Sequence, residues 1–302
     1  MHNAQLEVSA ASHDRHKGKP QPPPSVPPYS HPEATRTPAM FSTPYPLSDT
    51  TVADYQAKGH VLLRSLFTPE EVERIRKDTL DTHNRLLPAP VEGPLSTYDK
   101  AFSLTENLWQ HSEVLRDVVL SKRVANVAAK LLGCRDVRVY HDLTFFKDPV
   151  GPTGGFTPFH QDGHYWPLDN PRCLTLWLPL TDCPAEMGTM SFVDGSHEMR
   201  DASHLEITDE SDALIRQLID TNELSVSQPA DLEVGDATFG LTGTADNVFA
   251  VAYFDADAVV PVHPPTNKRR EANLHRWFPD VEPGKLAASH LNPAVLAASA
   301  AA

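Results

Sequence analysis

From Asp136 onward the apolar residues stop recurring every three or four positions and begin to alternate. Arg138, Tyr140, Asp142 and Thr144 form one row, and Val137, Val139, His141, Leu143 and Phe145 the other. Short segments of the same kind follow at 156–162, 174–180, 189–193, 232–239 and 248–254, with Pro and Gly between them. A short helix near 212–219 interrupts the series. Many short strands after a helical first third predict an antiparallel double sheet with helices against one outer face.

The helical third carries its own punctuation. Ser48 or Asp49 can cap a short helix bearing Val52 and Tyr55, stopped by Gly59. Residues 60–66 read as a strand. Thr68-Pro69-Glu70-Glu71 is a helix start with Thr as N-cap, Pro at N1 and Glu closing a capping box. Val72, Ile75 and Leu80 give that helix its apolar side. A further helix is expected over 121–132, with a stripe of Val124, Val127, Ala128 and Leu131 and a stop at Gly133.

Residues 1–46 include Pro22-Pro23-Pro24 and Pro27-Pro28 and are expected to be a disordered arm, with a short ordered piece at 41–46. Residues 47–302 are expected to be one domain, its tail from Pro261 irregular and anchored by Leu274-His275-Arg276-Trp277-Phe278.

Composition narrows the partners. A chain of 302 residues, 40% hydrophobic, can bury a sizeable core. Its formal charge of −14 argues against nucleic acid and anionic membranes, and no apolar run reaches membrane-span length. The expected partner is a small-molecule substrate; oligomeric state is left open. Cys134, Cys173 and Cys183 are odd in number and show no C-x-x-C spacing, as core thiols in a reducing compartment would. With no apolar leader and no Ser-Lys-Leu terminus, the expected location is cytoplasmic.

His160 and Asp162 carry the chemistry. Two apart on a strand, they would point to one face and could grip one ion. A second, distant His would complete the facial triad of non-haem iron oxygenases. Alone, a His-x-Asp recurs by chance. His164 continues the series, but extended backbone would set it roughly 13 Å from His160, too far to share the ion.

Several segments, in order, resemble the phytanoyl-CoA dioxygenase family of Fe(II)/2-oxoglutarate-dependent oxygenases. They are Thr157-Pro158-Phe159-His160-Gln161-Asp162 with Tyr165-Trp166-Pro167, Leu174 to Leu180, Glu186-Met187-Gly188-Thr189-Met190, Val193-Asp194-Gly195-Ser196-His197, and Leu232 to Phe239. Gly59 to Leu63 and Thr68 to Val72 look like the family's opening. The resemblance implies a mainly β fold with flanking helices, a double-stranded β-helix (a jelly-roll, cupin-like barrel) with iron in its mouth. It implies Fe(II) and 2-oxoglutarate as cofactors, and His160 and Asp162 as catalytic metal ligands. Tyr140, Lys147, Thr175 and Trp177 would line the co-substrate and substrate pocket, with plain barrel packing or surface the alternative for each. His197 would be structural. The implied reaction is hydroxylase-type oxidation of a small, largely apolar substrate, such as an acyl thioester or secondary metabolite.

One stretch departs from the family. Between Asp236 and Tyr253 there is no His, Arg or Lys. The family's second iron-binding His is expected after Thr242, and the Arg that pairs with 2-oxoglutarate after Asn247. His263 resembles a structural His-Pro in the tail, and Lys147 could hold the carboxylate instead, as a point charge. Residues 237–241 and 248–253 are expected to form a short hairpin, leaving the barrel wall beside His160 thin or open, and metal and co-substrate binding weak. Three readings stay open: an iron oxygenase whose sequence lacks a short piece, a metal-deficient member acting as a binding module or metal-independent enzyme, and an unrelated jelly-roll protein.

Overall fold

The structure, a computed structural model, describes residues 41–87, 102–147, 158–169, 172–198, 208–229, 231–240, 248–262 and 268–295. Helix α1 (Asp49–Lys58) starts at Ser48, whose hydroxyl accepts from the Thr51 amide, and stops at Gly59 with φ 81°. Strand β1 (Val61–Leu63) is shorter than the expected 60–66. Helix α2 (Pro69–Leu86) opens with the full Thr68–Glu71 capping box. Strand β2 (Phe102–Glu106) and helix α3 (Glu113–Val119) follow, and helix α4 (Lys122–Leu132) runs from the Ser121 cap to Gly133.

The β-rich part comprises β3 (Val137–Lys147), β4 (Cys173–Pro179), β5 (Phe192–Val193), helix α5 (Asp209–Thr221), β6 (Val226–Ser227), β7 (Ala237–Gly240), β8 (Val248–Asp255), helix α6 (Lys268–Trp277) and β9 (Ala294–Val295). One sheet has the order β1-β7-β4-β8-β3-β2, with β9 also on β3; β5 and β6 form a second, two-stranded piece. This is the layering of a double-stranded β-helix. Its helix-side face carries Leu174, Leu176 and Leu178 of β4 and Phe249, Val251 and Tyr253 of β8, all packed in one core with Val72, Ile75, Leu115 and Val124. The opposite face points inward. There Ala252 and Phe254 join Tyr140, Trp166, Trp277 and Phe278, while Val248 joins Trp177, Phe192 and Met190.

Three expectations change. Residues 158–161 have no regular structure and Asp162–His164 make a 3-10 turn, so the strand expected at 156–162 is not formed over the described residues. Pro158 supplies no amide for a ladder, and the segment is held instead by side-chain bonds. The hairpin expected from 237–241 and 248–253 is not formed either: β7 and β8 lie on opposite edges of β4, both antiparallel to it. The supposedly irregular tail contains α6, a helix with few apolar residues that its buried Trp277 anchors.

Strand β3 does not keep one alternation. Its register against β8 shifts between Val139 and His141, a β-bulge at Tyr140. Val139 pairs with Tyr253 on the helix side, whereas His141 pairs with Ala252 on the inner side. Beyond the bulge Leu143 and Phe145 join the inner row and Asp142 and Thr144 the helix side, so the two expected rows exchange faces.

Two buried ionisable groups test this packing. Arg123 makes a bidentate pair with Glu71 (2.7 and 2.9 Å) and donates to the carbonyls of Leu66 and Thr43. It thereby ties α4 to α2 and to the start of the described chain, where Phe41 is buried edge-on against Phe67. Arg123→Met leaves Glu71 buried without its counter-charge and should cost about 3 kcal/mol or more in urea unfolding. A loss below about 1 kcal/mol would show that the pair does not hold the layers together.

Asp142 is fully buried, and burial pushes its carboxyl up to about 8 despite the bond it accepts from the Trp109 amide. A carboxyl raised on folding stabilises the protein below its unfolded value of 3.8, and that contribution is lost as pH rises toward 8. Between pH 5 and pH 8 the group should therefore remove on the order of 4 kcal/mol. Asp142→Asn should flatten that slope in urea titrations; equal slopes in both proteins would contradict the assignment.

Candidate functional site

His160 and Asp162 come together on the inner side of β4. His160 Nε2 lies 3.3 Å from Asp162 Oδ1, with the imidazole 9% and the carboxylate 25% exposed. His160 Nδ1 is 2.8 Å from the Pro158 carbonyl, which can only accept, so Nδ1 carries the hydrogen. Nε2 is thus the nitrogen that faces the carboxylate. Burial opposes protonation of this ring, but the hydrogen bond and charge of Asp162, with the Pro158 bond, outweigh it and raise its pKa. Asp162 Oδ2 accepts a bond of 3.1 Å from the Thr175 hydroxyl, and Oδ1 is left toward His160.

The segment is clamped on three sides. The buried carboxylate of Asp212, on α5, accepts from the Phe159 amide (2.9 Å) and from Arg216, whose guanidinium lies over the Phe159 ring. Gln161 Nε2 donates to the Ser196 carbonyl, just past β5, at 2.9 Å. Asn273 of α6 donates to the Tyr165 carbonyl (2.8 Å), and Arg270 to that of Leu168. The irregular backbone that a strand would have satisfied is held by these side chains.

Of the other residues singled out from sequence, Thr175 and Trp177 share the inner row of β4, Thr175 bonded to Asp162 and Trp177 buried beside Val248 and Phe192. Tyr140 sits in the aromatic cluster, 4.9 Å from Trp166 and 5.5 Å from Trp277, with its hydroxyl buried and unpartnered. Lys147 ends β3 opposite Phe102. Its side chain, that of His164, His263 and residues 241–247 lie outside the described residues. His197 bonds the Gln56 carbonyl and packs where a side chain at Gly59 would stand, so it locks α1 to the β5 turn and not to an ion. His141 was missed: the bulge brings it to the inner face, where its ring stacks on Trp277 at 5.3 Å. Strict alternation gave no warning of it.

His160 and Asp162 fit a divalent cation as two ligands, one neutral nitrogen and one carboxylate oxygen with their outer partners in place. Among the described residues no group of three His, Cys, Asp or Glu comes together. The inner row of β8, Val248, Ala250 and Ala252, is apolar and offers a dicarboxylate no cation. Among the described residues no helix is long and apolar enough to cross a membrane.

Comparison with known proteins bears on the fold and the family. A probable alpha-ketoglutarate-dependent hypophosphite dioxygenase of Stutzerimonas stutzeri is 24% identical over 158 residues, 50% of this chain and 54% of that protein, so the chain spans about half the length of this curated relative. The crystal structure of the non-heme alpha ketoglutarate dependent carbocyclase SnoK from nogalamycin biosynthesis is similar with a TM-score of 0.65 at 24% identity, over 84% of this chain and 100% of that one. EctD from S. alaskensis with 2-oxoglutarate and 5-hydroxyectoine has a TM-score of 0.56 at 17% identity, over 91% of this chain and 96% of its own. These structures share the double-stranded β-helix. The sequence profile of phytanoyl-CoA dioxygenase matches residues 55–239, more than half the chain. The chain therefore belongs to the phytanoyl-CoA dioxygenase family of Fe(II)/2-oxoglutarate-dependent oxygenases.

Proposed function

We propose that this chain catalyses the Fe(II)- and 2-oxoglutarate-dependent oxidation of a small molecule. The observation that carries the reading is the half-buried His160–Asp162 pair, 3.3 Å apart, with the tautomer of one and the orientation of the other fixed by Pro158 and Thr175. His160 Nε2 and Asp162 Oδ1 would hold the metal. When bound, it supplies redox chemistry that couples oxidative decarboxylation of 2-oxoglutarate, to succinate and CO2, with oxidation of the substrate.

The chain's own contribution is position and dryness. Thr175 keeps Asp162 turned toward His160. Trp177, Val248, Ala250 and Ala252 form an apolar wall that keeps water from the reacting centre and suits a small, largely apolar substrate, an acyl thioester or secondary metabolite. Lys147 is the proposed partner of the co-substrate's far carboxylate, because β8 supplies none; Tyr140 is proposed for the substrate side. Oxidation of the hydroxylase type is the chemistry proposed. The cytoplasm is the proposed location.

A second reading, a binding module without metal chemistry, is favoured by the apolar inner row of β8, where a dicarboxylate would need a cation. Anaerobically loaded protein given O2, 2-oxoglutarate and ascorbate decides between them. Succinate should form and should be lost in His160→Ala and Asp162→Ala; equal turnover in both variants would remove the iron reading. Lys147→Met should raise KM for 2-oxoglutarate about tenfold or more through loss of a charged hydrogen bond. Thr175→Val, which keeps the shape and removes the bond to Asp162, should weaken Mn(II) binding by about 10- to 100-fold. Unchanged Mn(II) affinity would mean that Asp162 does not depend on Thr175.

A further inference from the structure

We infer that His141 determines the specificity of the reaction: its imidazole hydrogen-bonds a neutral polar group, a hydroxyl, carbonyl or amide, on an otherwise apolar substrate. This rests on the small-molecule oxidation proposed above.

Register places the imidazole. Thr175 of β4 pairs with Ala252 of β8, and Ala252 pairs with His141 of β3. Directly opposed residues of antiparallel strands share a face, so these three side chains stand in one inner row. Trp177, Ala250 and Leu143 make the next row in the same way. Two strand spacings, about 10 Å, separate the backbone of β4 from that of β3. Between these two walls the floor carries only the methyl groups of Ala250 and Ala252. Thr175 bonds Asp162, so the candidate metal ligands stand over one wall while His141 stands on the other. His141 is near enough to feel the charge of Asp162.

The ring is held, and its Nδ1 is not used. The imidazole lies on Trp277, 5.3 Å between centroids and 14° from parallel. Trp277 is in turn covered by the Arg276 guanidinium, 4.7 Å from its ring, and Arg276 pairs with Glu106 of β2. A stack occupies the face of an imidazole and leaves the nitrogens, which bond at its edge. Nδ1 of His141 is buried and has no hydrogen-bond partner. Such a group costs about 1–3 kcal/mol, and a ligand that bonds it removes the cost. The bulge that turns His141 inward also turns Tyr140 inward, its ring 4.9 Å away and its hydroxyl likewise buried without a partner.

The surroundings decide the kind of group. Burial pushes the His141 imidazole down from its ordinary pKa, and the opposing charges of Glu106 and Asp162 do not restore it. A neutral imidazole offers one donor and one acceptor, and no charge for an anion. The two rows that frame the alanine floor hold no Lys or Arg. A hydroxyl, carbonyl or amide meets these conditions, and a carboxylate or phosphate does not. Leu143, Trp177 and the two alanines receive the apolar remainder of the molecule.

The test titrates the full-length protein, carrying nitrogen-15 histidine, with benzyl alcohol, acetophenone, benzoate and toluene in anaerobic buffer containing Zn(II) and 2-oxoglutarate. Benzyl alcohol and acetophenone should bind roughly fivefold or more tightly than toluene, the scale of one hydrogen bond, and should shift the His141 ring nitrogens. Toluene and benzoate should leave those signals in place. His141→Phe, which keeps a ring on Trp277, should bind benzyl alcohol no more tightly than toluene and should leave Mn(II) affinity unchanged. His141→Gln, which keeps a donor and an acceptor, should restore part of the preference. A preference for benzyl alcohol that persists in His141→Phe, benzoate as the tightest probe, or no binding of any probe at millimolar concentration would overturn the inference. So would a fall of about tenfold or more in Mn(II) affinity in His141→Phe, which would make His141 a metal ligand. The nitrogen shifts are read in the unmodified chain, so they decide the matter even where the Phe variant does not fold. Succinate formation by the iron-loaded protein is the separate readout. Probes bound through His141 without any succinate would sink the oxygenase reading and leave His141 assigned; succinate with the His141 signals unmoved by every probe would do the reverse.

Discussion

One extra residue in β3 decides what the interior of this protein contains. A strand sends alternate side chains to opposite faces, so a single inserted residue transposes everything beyond it. The bulge at Tyr140 comes after Val137 and Val139 have packed on the helices. It turns both Tyr140 and His141 inward and hands the helix side to Asp142 and Thr144. The helix side is then where a carboxyl has to be accommodated, which is why Asp142 is buried against the Trp109 amide and holds its proton far above the usual range. Leu143 and Phe145 take the inner positions that alternation alone would have given to those two polar residues. The apolar character of the cavity follows from the bulge as much as from composition.

Strand β4 connects that packing to the chemistry. Leu174, Leu176 and Leu178 anchor it to the helical layer with almost no exposure, and Thr175 and Trp177 alternate with them on the inner side. The burial that fixes the leucines fixes the Thr175 hydroxyl, and that hydroxyl fixes Asp162. A flexible loop would not hold a carboxylate and an imidazole at 3.3 Å unaided. Here the loop takes its position from β4, α5, the β5 turn and α6, each through a named hydrogen bond.

Legibility in the sequence follows the range of the interaction. The ends of α1, α2 and α4 could be read because Ser48, Thr68, Ser121, Gly59 and Gly133 act on backbone groups a few residues away. The positions of β4 and β8 could be read because each buries a continuous apolar run. Pairing could not: a pattern that marks 237–240 and 248–255 as strands does not say that β4 lies between them. The bulge was invisible for the same reason, since its only evidence is the partner strand. Of the candidate site, the His160–Asp162 juxtaposition was legible, but through a strand that is not there; a 3-10 turn and side-chain clamps achieve it. Thr175 was singled out as lining the pocket, and its hydroxyl bonds a protein carboxylate there. Helix α6 escaped notice because only Trp277 of its ten residues is buried.

Among the described residues the main sheet is held together without the seven residues that connect β7 to β8. Among the described residues, every ladder that β7 and β8 make is with β1, β4 or β3. The apolar surface that stabilises the domain lies on the helix side, where Phe239, Phe249, Val251 and Tyr253 are fully buried. Stability and metal affinity therefore rest on separate parts of this chain: the leucine face of β4 with its helices carries one, and the inner side of the same strand carries the other. His160 and Asp162 take their places from Thr175 on that inner side and from the loop clamps of α5, the β5 turn and α6.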